Sequence, residues 1–110
     1  TPDAIALRAG KIYAFECKAW KKENLNISTQ QLNDLETWCR MAGAELVIAW
    51  KIHRKGWRFF PKELLHSTGK AYAINIDTAL EKGKRIEHFS HHTLIPSTRG
   101  KNIPVPVHEG

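Results

Sequence analysis

Two short runs of apolar and β-branched residues open the chain, at residues 4–8 and 11–18, and Ala9-Gly10 stands between them. Two such runs joined by a short glycine-containing link predict a β-hairpin in which Arg8 lies opposite Lys11. Residues 19–27 are mostly polar, and we predict a loop there.

The next segment has the spacing of an α-helix. Ser28 is a favourable N-cap, and Gln31 three residues later predicts a capping box. Apolar residues then recur at helical intervals and predict a buried stripe of Leu32, Leu35, Cys39 and Ala42. Gly43 predicts the end of the helix.

Strands dominate the pattern after this helix. Residues 45–50 predict a buried strand, and residues 57–60 predict another that follows a basic turn at 53–56 and ends at Pro61. Alternation along the second strand predicts Trp57 and Phe59 on one face and Arg58 and Phe60 on the other. Weaker patterns predict a short helix at 62–65, a strand at 71–76 and a helical turn at 78–81.

The order of these elements predicts an α/β fold with a central mixed β-sheet flanked by helices. The 110 residues are enough for one compact domain. Little pattern remains after Phe89, where prolines recur. We therefore predict a domain of residues 1–90 and a proline-containing C-terminal tail of residues 91–110.

The net charge of the chain indicates the kind of partner that it binds. Seventeen Lys and Arg against eleven Asp and Glu give a net charge of +6, which favours a nucleic acid partner, although a merely soluble basic protein has the same balance. Between residues 51 and 62 there are five basic residues and no acid. No apolar run approaches the roughly 18 residues of a membrane span, so no membrane partner is expected. Two cysteines without zinc spacing or a secretion signal predict a reducing, cytoplasmic location.

The hairpin register brings candidate chemistry together. If Arg8 lies opposite Lys11, Asp3 lies opposite Glu16, with Cβ atoms about 4.5–5.5 Å apart. Lys18 shares the face of Glu16 because side chains alternate along a strand. Opposed carboxylates favour a bound cation, and oxygen ligands suit Mg²⁺, so the pattern predicts metal-assisted phosphodiester hydrolysis. A solvated patch of salt bridges is the alternative.

Pro2-Asp3 followed by Glu16-Cys17-Lys18 resembles the PD-(D/E)xK signature of the restriction-endonuclease-like nucleases. Further stretches narrow this resemblance to the archaeal Holliday junction resolvases, in order through roughly residues 2–62. They are residues 3–7, Gly10-Lys11, Lys21-Lys22, Gln31, Gly43-Ala44 and residues 56–61.

The resemblance implies a restriction-endonuclease-like fold and a homodimer that makes paired nicks in four-way DNA junctions with Mg²⁺, or with Mn²⁺ in its place. It implies that Asp3 and Glu16 are metal ligands, assisted by the Cys17 backbone carbonyl, and that Lys18 is the catalytic lysine. Gln31 matches a position near the active site, beside its predicted capping role. The DNA contacts we predict are Lys21, Lys22, His53, Arg54, Lys55 and Arg58, for which a solvated surface is the competing interpretation.

The sequence departs from the family at its start. Family members carry an N-terminal helix and a strand before the first acid, and that helix supplies another acidic residue. Neither precedes Asp3 here, so we expect both to be missing, with a sheet edge left unpaired and activity reduced.

Three functions stay open from the sequence. The first is a four-way junction endonuclease of the cytoplasmic nucleoid. The second is a nuclease of the same fold that acts on another DNA structure, and the third is a module that binds branched DNA without cutting it.

Overall fold

The elements of the chain are defined here from a computed structural model, which describes residues 2–89 and the backbone of residues 93–96. The strands are β1 (Ala4–Arg8), β2 (Lys11–Trp20), β3 (Asn24–Ser28), β4 (Ala44–Ile52), β5 (Gly56–Pro61), β6 (His66–Ser67), β7 (Ala71–Asn75) and β8 (Thr93–Pro96). The helices are α1 (Thr29–Ala42) and α2 (Ile76–Lys82), and Lys62–Leu64 and Ile86–Phe89 form 3-10 turns.

Five strands form the main sheet, in the order β5-β4-β2-β1-β8. The neighbours β2 and β4 are parallel and the other pairs are antiparallel, which confirms the predicted mixed sheet. The predicted hairpin register is also confirmed, since Arg8 pairs with Lys11 and Ala4 with Phe15. Ala9 and Gly10 both have positive φ, as a two-residue turn between twisted strands requires.

Each face of the main sheet carries its own core. The face under α1 includes Ile48, Trp50 and Phe60, together with the buried residues of the helix. The opposite face is aromatic, and Phe59 packs there with Phe15 and Phe89. The prediction that Phe59 and Phe60 point to opposite faces is therefore confirmed.

The helix α1 is fixed at both ends. The Ser28 hydroxyl accepts a hydrogen bond from the Gln31 amide at 3.1 Å, and Gly43 ends the helix in the left-handed conformation at φ 69°. Leu32, Leu35 and Cys39 are buried as predicted. Ala42 is exposed, so that part of the stripe was wrong. At 3.6 residues per turn, Ala42 falls about 80° from Leu32, at the margin of the stripe.

The predicted loop at residues 19–27 is confirmed only for residues 21–23 and is wrong for the rest. β2 continues to Trp20, and β3 begins at Asn24. Leu25 and Ile27 are both 0% exposed between exposed neighbours, which is the period of a half-buried strand. Three outward polar residues made the segment look like a loop. β3 pairs with β7, and β7 with β6, to form a second, antiparallel sheet.

The outer edge of β1 is paired, contrary to our expectation. β8 runs antiparallel to it, with Ile5 opposite Ile95. Four residues that we assigned to the tail therefore belong to the main sheet. Residues 90–92 and 97–110 lie outside the described residues, so the boundary at residue 90 stays a prediction.

Cys17 and Cys39 are both buried, one in each core, which confirms that they are core residues. Burial raises the pKa of the Cys39 thiol, and the nearby Glu36 carboxylate raises it further. A protonated, buried thiol is a poor nucleophile. Neither of the described helices is long and apolar enough to cross a membrane.

Gly83, at the end of α2, lies close to Arg58 of the main sheet. A Cβ at this position would overlap the Ala79 carbonyl oxygen and lie 3.0 Å from the Arg58 Cβ, although the φ of −72° suits any residue. We expect Gly83→Ala to lower the free energy of unfolding by about 2–3 kcal/mol through overpacking. Gly43→Ala, which has open space but a positive φ, should cost about 1 kcal/mol. Urea unfolding followed by circular dichroism measures both, and equal effects would contradict this account of Gly83.

Candidate active site

The candidate site lies on β2, which is paired to β4 on one side and to β1 on the other. Glu16 pairs with Ile48 of β4, and Lys18 pairs with Trp50, so the acid and the base lie two residues apart on one face. This is the face under α1. Because β2 is paired to β4 at both positions and to β1 just before them, neither backbone position can shift without breaking the main sheet.

Asp3 lies just before β1 and is 0% exposed. Its backbone amide donates to the Phe15 carbonyl at 2.8 Å, and its Oδ2 accepts from the Cys17 amide at 2.8 Å. The carboxylate is therefore hydrogen-bonded to the residue that follows Glu16. Continuing the β1–β2 register from Ala4 and Phe15 gives Asp3 the place beside Glu16 that the sequence predicted.

Gln31 links Glu16 to Lys18. Its Nε2 donates to Glu16 Oε2 at 2.7 Å, and its Oε1 accepts from Lys18 Nζ at 3.2 Å. Lys18 Nζ is also 3.4 Å from Glu16 Oε2. The amide thus matches its donor to the carboxylate and its acceptor to the ammonium, which fixes both groups.

This bridge changes the interpretation of Gln31. The capping box required its side chain to reach back to the Ser28 amide. The Gln31 backbone amide does cap on Ser28, but its side chain bonds to Glu16 and Lys18. The second half of the predicted capping box was therefore wrong, and the structure brings Gln31 into the candidate site.

The two carboxylates of the site are both buried. Glu16 is 1% exposed and Asp3 0%, and the Lys18 ammonium lies beside Glu16. Their oxygen donors fit a hard divalent cation such as Mg²⁺, which commonly takes one or two carboxylates with waters and a phosphate. Among the described residues, no group of three or more acidic, histidine or cysteine side chains could hold a metal alone.

The predicted DNA contacts come together at one end of the sheet. β2 and β4 are parallel with Trp20 opposite Ile52, so the residues after both strands leave the sheet at the same edge. The exposed residues there are Lys21, Lys22, His53, Arg54 and Lys55. Lys21, His53 and Arg54 line one pocket. Lys51 lines it too, although it was not among the predicted DNA contacts.

Arg58 is placed differently from the other basic residues. It is 9% exposed, and its Nη1 donates to the carbonyls of Lys55 at 3.0 Å and Trp57 at 2.9 Å. The guanidinium therefore holds the β4–β5 turn. Strand alternation placed Arg58 on the face of Phe60, but its charge led us to include it among the DNA contacts.

A mixed sheet that carries two acids and a lysine beside a central strand defines the restriction-endonuclease-like class of fold. The chain belongs to the archaeal Holliday junction resolvase (Hjc) family, whose sequence profile matches residues 1–94.

Two curated relatives are both described as crossover junction endodeoxyribonuclease Hjc. The protein of Archaeoglobus fulgidus is 38% identical over 74 residues, which cover 67% of this chain and 54% of the relative. That of Sulfurisphaera tokodaii is 34% identical over 88 residues, or 78% of this chain and 60% of the relative. The chain thus spans a little more than half of these relatives.

The solved structure of A. fulgidus Hjc, described as a Holliday junction resolvase from an archaeal hyperthermophile, is similar in fold. The TM-score is 0.70 with 34% identity, over 76% of this chain and 74% of that one. This similarity confirms the predicted α/β fold.

Arg58 and Lys55 should separate a structural role from a DNA contact. We expect Arg58→Met to lower the free energy of unfolding by about 2 kcal/mol, because two carbonyls lose a charged donor. Lys55→Met, at an exposed position, should change the free energy of unfolding by less than about 0.5 kcal/mol. It should also lower, by about one, the slope of the logarithm of the DNA-binding constant against the logarithm of the salt concentration. A fully stable Arg58→Met protein with weakened DNA binding would contradict the structural role.

Proposed function

We propose that the chain forms the catalytic core of a structure-selective DNA endonuclease that resolves four-way junctions by metal-dependent phosphodiester hydrolysis. One observation carries the proposal: Asp3 and Glu16 are both buried at adjoining positions of the β1–β2 hairpin, and Glu16 lies beside Lys18, in a chain of the Hjc family. The two relatives described as crossover junction endodeoxyribonucleases support the choice of four-way junctions as the substrate.

Asp3 and Glu16 would hold Mg²⁺ or Mn²⁺, and the Cys17 carbonyl would assist. When bound, the ion supplies positive charge for the phosphate and lowers the pKa of a ligated water. Asp3 accepts from the Cys17 amide, so the carboxylate and this segment of β2 stay in one arrangement. Such fixed ligands bind an ion without a cost of reorganisation.

Hydrolysis adds a water oxygen to phosphorus and breaks one phosphorus–oxygen bond to the sugar, whose oxygen leaves with a proton. Negative charge builds up on the phosphoryl oxygens in between. The Lys18 ammonium is the protein cation on this face beside Glu16, and it stabilises that charge. Gln31 is a positioning residue, since it holds the Lys18 ammonium and the Glu16 carboxylate in place.

Recognition rests on the DNA backbone. The exposed basic residues after β2 and β4 contact phosphates, which gives binding by shape and charge with little base specificity. A four-way junction has two-fold symmetry, and paired nicks require two active sites. A homodimer working on DNA in the cytoplasmic nucleoid meets that requirement.

Glu16→Gln tests the metal site with almost no change in shape. We expect nicking of a labelled four-way junction in Mg²⁺ to fall by about a hundredfold to a thousandfold, while junction binding persists. Glu45→Gln removes an exposed acid at the opposite end of β4 and should cut like the unmodified chain. EDTA should abolish cutting by the unmodified chain and by Glu45→Gln.

Two results would redirect the proposal. Cutting of a matched linear duplex as fast as the junction would favour a nuclease for another DNA structure. Tight junction binding with no nicks in Mg²⁺ or Mn²⁺ would favour a non-cleaving binding module. Full cleavage by Glu16→Gln would remove Glu16 from the site.

Gln31 has a matched neighbour in Gln30, which is exposed on the same turn of α1. We expect Gln31→Ala to lower kcat by about tenfold with little change in KM, because Lys18 and Glu16 lose their bridge. Gln30→Ala should leave both kcat and KM unchanged, and the same behaviour in both variants would refute the positioning role.

A further inference from the structure

A pocket of about 330 Å³ lies at the end of the main sheet where β2 and β4 finish. We call it the basic pocket. The residues that line it include Trp20, Lys21, Lys51, Ile52, His53 and Arg54. None of the described residues that line it is acidic. Small-molecule sites have volumes of roughly 300–1,000 Å³, and this pocket is at the lower end of that range. A pocket of this volume admits one nucleotide but not a base pair.

The lining combines two kinds of chemistry. Lys21, Lys51 and Arg54 are exposed and cationic, and they suit a phosphate. Trp20, which is half-buried against the core, supplies an apolar surface. A phosphate alone would need the cations but not the indole. A nucleotide, which has a charged phosphate and a flat apolar base, uses both.

Trp20 is held rigidly for such a role. Its indole Nε1 donates to the Asn24 carbonyl at 2.7 Å, and its own carbonyl accepts from the Trp50 indole at 3.1 Å. Lys22 Nζ lies over the ring, 5.7 Å from its centroid, and adds positive charge. A fixed aromatic side chain binds a base with little loss of conformational freedom.

The β4–β5 turn contributes a strained residue. Arg54 has φ 62°, a conformation that side chains other than Gly, Asn and Asp rarely adopt. The turn is closed by a hydrogen bond from the Lys55 amide to the Ile52 carbonyl at 3.0 Å. An arginine in this place brings a guanidinium to the pocket where glycine would suit the backbone better.

We infer that the basic pocket binds a single unstacked nucleotide of the DNA strand, with its base against Trp20 and its phosphate on Lys21, Lys51 and Arg54. The inference rests on the proposed function for the identity of the DNA, and an unpaired or single-stranded base is the one that leaves the helical stack at least cost. The pocket lies past Lys18 on β2, so the bound nucleotide belongs to DNA already held at the active site.

The test uses the whole chain in EDTA, so that no cutting is needed and the result is independent of junction resolution. A tetrathymidylate is titrated against the protein and followed by the NMR signals of the Trp20 indole and the amides of residues 51–54. We expect saturable shifts at these signals. An abasic analogue of the same length should bind about tenfold more weakly, because it lacks the stacked bases, and inorganic phosphate should bind more weakly still.

Variants separate the pocket from general charge. Lys51→Gln and Arg54→Gly should each weaken tetrathymidylate binding by about fivefold to tenfold, and the second suits the positive φ of the turn. Lys82→Gln removes one exposed charge from α2 and should change binding by less than twofold. Trp20→Leu should abolish the preference over the abasic analogue.

Equal affinity for the oligonucleotide and its abasic analogue would overturn the inference, because the pocket would then bind only charge. Shifts confined to residues outside the pocket would overturn it as well. Junction cleavage could survive either outcome. Conversely, specific binding by a chain that never nicks a junction would sink the proposed function and leave the pocket in place.

Discussion

The candidate site depends on the pairing of β2 along both of its edges. The strand is hydrogen-bonded to β4 through nine residues and to β1 through five. This pairing fixes the direction of every side chain on β2, so Glu16 and Lys18 must share one face while Phe15 and Cys17 occupy the other. A slip of one residue would bury Lys18 in the aromatic core and expose Phe15 to the active-site face.

The helix α1 depends on the same strand and in turn fixes the site. Ser28 caps the helix through the Gln31 backbone, which leaves the Gln31 side chain free to turn toward β2. The amide then meets an acid and a base at once. The residue that helps to begin a helix also orders the charges of the site, so the local folding of α1 and the arrangement of Glu16 and Lys18 cannot vary independently.

Much of this could be predicted from the sequence because it follows from local rules. The hairpin at Ala9-Gly10, its register and the capping of α1 by Ser28 and Gly43 depend on nearby residues and were confirmed. β3 was missed because its outward residues are polar and its inward ones, Leu25 and Ile27, are covered by distant parts of the chain. The buried position of Arg58 also depends on tertiary context. Strand alternation placed it on the face of Phe60, but the carbonyls of Lys55 and Trp57 come within reach of its guanidinium only when the turn has formed.

Among the described strands, β2 and β4 are the parallel neighbours of the main sheet, and this one feature joins the chemistry to the DNA contacts. Antiparallel neighbours send their following loops to opposite ends of a sheet, whereas parallel neighbours send them to the same end. Lys21 follows β2 and His53 follows β4, so both basic segments meet beyond Lys18. Ligands of open α/β sheets bind at the carboxyl ends of parallel strands for the same reason. In the function we propose, a DNA strand bound by these loops is directed to the face that carries Glu16, and the cation-rich end of the sheet offsets the repulsion between the DNA and the two buried carboxylates.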